Sequence, residues 1–127
     1  MATKDEKLAL YKAANKELGL GLSDELIEKV TTGLGPVIYN ANTELVSCSD
    51  KSELDTVKNG FLRKKINVPV DDAKYDATLK KVCEKMGSSN RSKYRALFYA
   101  LLTVEFGKEY THSLILGNVK NFTYGLN

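Results

Sequence analysis

A chain of 127 residues and 14.1 kDa has the size of one domain, long enough to bury roughly two thirds of the surface it exposes when unfolded, so no covalent staple is required. Apolar residues make up 43% and charged residues 28%, a globular balance that excludes a disordered chain. The net charge of +3 conceals a segregation: residues 1–55 carry six Lys/Arg against ten Asp/Glu, and residues 56–95 carry eleven against four.

The first helix is expected from about Lys4 or Asp5 to Leu18. Thr3 and Glu6 have the spacing of a capping box, acids sit at the positive end of the helix dipole, and Gly19 suits the residue just past the last turn. Its apolar stripe is Leu10, Ala13, Ala14 and Leu18, a thin face that places the helix on the outside of the domain. Ser23 and Asp24 open a second helix with Leu26, Ile27 and Val30 inward, ended by Thr31, Thr32 and Gly33. Pro36 has its φ pre-set for a first helical position, so residues 36–40 are read as a short helical turn.

Ser49 is the expected cap of a third helix whose stripe is Leu54, Val57, Phe61 and Leu62, terminated by Asn67 and Pro69. Asp71 or Asp72 caps a fourth, with Tyr75, Leu79, Val82, Cys83 and Met86 inward and Gly87 at its end. The central helix is expected over 90–106, capped by Ser89. Tyr94 to Val104 is apolar or weakly polar almost all round, and such a helix must be wrapped on most sides. The expected core is Leu54, Val57, Phe61, Leu79, Val82, Leu97, Phe98, Leu101 and Leu102. Beyond it, Leu114-Ile115-Leu116 and Val119 to Tyr124 flank Gly117-Asn118, the signal of a small C-terminal β-hairpin. The fold class is therefore all-α: a compact bundle of five main helices plus a short helical turn, with a helical domain over 1–109 and a tail over 110–127.

Met1 to Lys7 carries charges of both signs, unlike a secretory leader, and the longest apolar run, Ala96 to Leu102, is far below the roughly 20 residues of a membrane span. The cytoplasm is the expected location, with no membrane association. Cys48 and Cys83 are accordingly expected as reduced thiols, a disulfide being the alternative in an oxidising compartment.

No catalytic, cofactor-binding or metal-binding set emerges. The single histidine, His112, lies in the tail, and no zinc or calcium spacing is present. Cys48 precedes a helix start, where a thiol pKa falls, but no partner base is named by the sequence. Gly19-Leu20-Gly21 and Gly33-Leu34-Gly35 lack the Lys-Ser/Thr of a phosphate loop and are read as helix terminators. One candidate site remains, an anion or nucleic-acid patch of Arg63, Lys64, Lys65, Arg91, Lys93 and Arg95. The fourth and central helices resemble a helix-turn-helix around Gly87, except that Lys93 stands where that motif places Ile or Val. The charge segregation fits either an anionic partner or attraction between two halves of one fold.

The strings Leu34-Gly35-Pro36-Val37-Ile38-Tyr39-Asn40, Val46-Ser47-Cys48-Ser49-Asp50-Lys51-Ser52-Glu53-Leu54-Asp55-Thr56-Val57-Lys58-Asn59 and Ser89-Asn90-Arg91-Ser92-Lys93-Tyr94-Arg95-Ala96 resemble a small bacterial family known only as a domain of unknown function. The resemblance covers roughly residues 5 to 109. It implies a compact, bacterial, cytoplasmic helical protein and no activity, and it leaves the tail uncovered.

The functional expectation is a small non-enzymatic cytoplasmic binding or protein-interaction domain, a second copy of the chain being one candidate partner. The alternatives are a nucleic-acid-binding protein using the basic segments and a small-molecule enzyme without a recognisable motif.

Overall fold

The computed structural model describes residues 2–67 and 69–107. The hairpin, the 110–127 tail and His112 lie outside the described residues. The described residues form six α-helices: α1 (Lys4–Leu18), α2 (Asp24–Leu34), α3 (Ala41–Glu44), α4 (Lys51–Thr56), α5 (Asp72–Met86) and α6 (Arg95–Gly107). A 3-10 turn over Gly35–Tyr39 joins α2 to α3, and a π-helix over Val57–Ile66 continues α4. The five main helices and the turn at Pro36 are all present, and α3 is an addition. It is nucleated where the Asn40 side chain accepts from the Asn42 amide.

The local chemistry follows the sequence where caps decide. Thr3 accepts from the Glu6 amide while Glu6 reaches back to the Thr3 amide, closing the capping box, and Gly19 leaves α1 in the left-handed region at φ 64°. In the third helical segment the cap is Asp50 rather than Ser49. The Asp50 carboxylate accepts from the amides of both Ser52 and Glu53, and a carboxylate at the positive helix end surpasses a hydroxyl.

α6 is the centre, packed on α1, α2, α3 and α5. All of Arg95 to Thr103 is buried, as are Glu105 and Phe106. Phe61 stacks on Tyr99 with ring centroids 4.0 Å apart, and Tyr75 meets Phe106 edge-on. Eight of the nine expected core residues are buried. Leu54 is half-buried at the margin of the same cluster.

Three expectations are corrected. The helix expected from residue 90 begins at Arg95, because the preceding residues are held in extended form: Leu45 and Tyr94 form an antiparallel bridge, and the Val46 amide donates to the Lys93 carbonyl. The connection from Gly87 is therefore too long and too extended for a helix-turn-helix. Within α1, the buried residues are Tyr11 and Asn15, while Leu10 and Leu18 stay 42% and 38% exposed, so of the predicted stripe only Ala14 packs against the core. Asn15 earns its burial by bridging the amide and carbonyl of Leu22. Finally, Cys48 and Cys83 are joined in a disulfide rather than reduced, tying the loop before α4 to α5.

The π-helix explains why the third stripe was only partly read. Its wider turn brings Val57, Phe61, Leu62 and Ile66 to the core at spacings of four and five residues, and the Asn67 amide closes it on the Leu62 carbonyl. The same widening carries Lys58 inward, where it meets Asp76 at 2.9 Å and lies near Asp55 and Asp72.

Candidate functional site

Of the six basic residues singled out as a patch, two are internal. Lys93 is buried and donates to the Asn90 carbonyl. Arg95 is buried at the start of α6 and binds the carbonyls of Thr43 and Leu45, the Tyr99 hydroxyl and the Glu53 carboxylate. Burial works against its charged form, but Tyr99 and Glu53 outweigh that and raise its pKa. Arg95 is thus a clasp joining α6, α4 and the C-terminal end of α3. Arg63, at the end of the π-helix, pairs with Asp72 and lies over the Tyr75 ring. Lys65 is half-buried; Lys64 and Arg91 are exposed.

The segregated charge is partly spent inside the fold. Glu53–Arg95 and Asp55–Lys58 both cross from the acidic to the basic segment. Other pairs do not cross between these segments: Lys7 and the Tyr11 hydroxyl share Glu44 within the acidic one, and the buried Glu105 carboxylate, beyond both, holds Lys81 and Lys85. Burial first, then the Glu44 carboxylate, pushes the Tyr11 phenol far above its usual pKa, so it remains a donor.

What the sequence reading missed is the outer face of α1. Leu10, Ala13, Ala14, Glu17 and Leu18 form one wall of an open groove of about 320 Å³; Asn90, Ser92 and Tyr94 form the other. Tyr94 is fixed from behind by the Tyr11 ring at 5.0 Å and from the side by its bridge to Leu45. Glu6, Leu10, Ala13 and Glu17 follow one another at helical spacing, so two carboxylates bracket an apolar centre. The signal was present in the sequence as a stripe too thin for a core. What it lacked was the position of Tyr11, whose bulk and polar tip claim the inward face.

A second open hollow, of about 270 Å³, surrounds the disulfide and is lined by Lys51, Leu54, Asp55, Asp76, Leu79 and Lys80. Both cysteines are half-buried there. Among the described residues no group of three or more His, Cys, Asp and Glu side chains could hold a metal ion, and no helix is long and apolar enough to cross a membrane. The two glycine pairs end helices: Gly19 follows α1 and Gly35 follows α2 at φ 63°.

These features define a small all-α domain with an open amphipathic groove and a surface disulfide. The chain belongs to the family described as protein of unknown function, DUF2853, whose model matches residues 10–110. No curated protein matches it.

Proposed function

We propose that this protein is a small non-enzymatic protein-interaction domain of the cytoplasm, and that its binding surface is the outer face of α1. The observation that carries the reading is the exposure of Leu10 and Leu18 on one wall of a groove whose other wall includes Tyr94. Large apolar side chains on a concave wall bury their remaining surface when a partner arrives, and at 42% and 38% exposure each contributes about 1 kcal/mol.

The occupant that fits is a short amphipathic segment of another protein, with one or two large apolar residues flanked by Lys or Arg. Its apolar residues enter between Leu10, Ala13 and Leu18, and its cations meet Glu17 in the groove wall and Glu6 one turn before Leu10 on the same helix face. Those two carboxylates repel a phosphate backbone, so this face does not favour nucleic acid. The basic patch is also reduced as a binding surface, since Lys93 and Arg95 point inward.

The test is fluorescence anisotropy of labelled model peptides with a leucine pair flanked by lysines or, as control, by glutamates. The lysine peptide binds, the glutamate peptide binds less well, and Leu10→Asn, which removes the apolar contact without adding charge, weakens the binding of both. Equal binding of both peptides, no binding of either, or salt-sensitive binding of a mixed nucleic-acid pool in their place would each contradict the reading.

A further inference from the structure

Disulfides that persist in a reducing cytoplasm are uncommon, and those found there are usually transient, catalytic or redox-sensing. We infer that Cys48–Cys83 is a reversible thiol-disulfide link that sets the shape of the α1 groove. This inference rests on the groove being the binding surface and on the cytoplasmic location proposed above.

The geometry joins the two sites through one short segment. Cys48 is two residues from Val46, whose amide donates to the Lys93 carbonyl at 2.9 Å, and three from Leu45, which bridges Tyr94. Tyr94 is the groove wall facing α1, with Asn90 and Ser92 beside it. The disulfide therefore anchors to α5 the segment that holds Tyr94 in place. Arg95 holds the Leu45 carbonyl on one side and Asp50 caps α4 on the other, but few other bonds fix the stretch between: the Asp50 amide reaches the Ser47 carbonyl at 3.3 Å, and Ser47 and Ser49 are exposed. Once the bond opens, residues 47–49 have little else to hold them.

The bond is reachable. Both cysteines border the open hollow, where Lys51 and Lys80 stand beside Asp55 and Asp76, so a small-molecule thiol can approach either sulfur. The co-reactant is a small-molecule thiol such as glutathione. Its thiolate attacks the Cys48 sulfur, forming a mixed disulfide and breaking the Cys48–Cys83 bond. The bonding pair leaves with Cys83, as a thiolate one helical turn from Lys80. A second glutathione thiolate attacks the glutathione sulfur of the mixed disulfide, releasing oxidised glutathione and the Cys48 thiolate. The two protons shed by the glutathiones are taken up by the two cysteines, so the chain gains two electrons and two protons. Oxidised glutathione reverses the sequence.

The experiment is amide hydrogen exchange on the full chain, oxidised and after millimolar reduced glutathione, with maleimide mass-tagging to count thiols. The expected result is two thiols per chain, exchange at the Val46 amide faster by about tenfold, and unchanged protection at Leu101 and Leu102. The variant Cys48→Ser with Cys83→Ser reproduces that pattern without reductant. The proposal is overturned if the cysteines stay oxidised until denaturant is added, if they are reduced with no change at Val46, or if protection is lost throughout α6. The last outcome would make the bond a staple of the whole fold. Exchange at Val46 needs no partner, so loss of peptide binding in both redox states, with the Val46 response intact, would condemn the groove reading and spare the link.

Discussion

Single residues decide most of what is unusual in this domain. Arg95 is a guanidinium at 4% exposure whose bonds tie three parts of the chain together. Removing its carboxylate partner by Glu53→Ala leaves that charge underground, and urea denaturation is expected to register a loss of about 3 kcal/mol. Thr31 sits at the opposite extreme. Its hydroxyl is buried with no hydrogen-bond partner among the described residues, so Thr31→Val is expected to leave stability unchanged or raise it by about 1 kcal/mol. At the exposed start of α1, hydrogen bonds from the Thr3 amide and hydroxyl hold the Glu6 carboxyl below its ordinary pKa. A group whose pKa is lower when folded adds stability above its unfolded value and loses it as pH falls through the folded one. The Thr3 and Glu6 amide signals should therefore move together below about pH 4.5, and a flat response would contradict the capping box.

At the scale of elements, propensity and caps were legible and faces were less so. α1, α2, α5 and the apolar core of α6 stand where capping residues, glycines and apolar periodicity placed them. Two elements escaped for physical reasons. The π-helix changes the period on which a stripe is judged, so Lys58 and Ile66 moved to the inside without any local signal. The start of α6 depends on a pairing with Leu45, about fifty residues away, and long-range pairing overrides a local cap such as Ser89. The contrast between faces is directly measurable: Leu101→Ala should cost about 3 kcal/mol through the cavity it leaves, whereas Leu10→Ala should change stability by less than about 0.5 kcal/mol. Within the π-helix, a Cβ at Gly60 would meet nothing within 4 Å and its φ is ordinary. Gly60→Ala is expected to stabilise by about 0.5–1 kcal/mol, by restricting the unfolded chain.

For the whole molecule, the segregated charge proved ambiguous because its answer lay in three dimensions. Arg95 and Lys93 look like surface cations in a linear reading, and only packing reveals that they point inward. The groove was hidden for the converse reason: the Leu10 stripe reads as core until Tyr11 is seen to occupy the inside. The cysteines, 35 residues apart, carried no pairing signal until the fold brought their Cα atoms to 6.0 Å. Closing a loop of that length is worth about 3–4 kcal/mol by the chain-entropy account. The bond lies at the margin of the apolar core around α6, so the double serine variant should remain folded with a lower melting temperature.

The central claim is that the exposed side of α1 is a working surface. Its most direct test is chemical-shift mapping of the oxidised chain during titration with the lysine-flanked leucine peptide. Shifts concentrated at Leu10, Ala13, Ala14, Leu18 and Tyr94, and weakened in Leu10→Asn, are the predicted result. Shifts centred on Lys64 and Arg91, or none up to millimolar peptide, would contradict it.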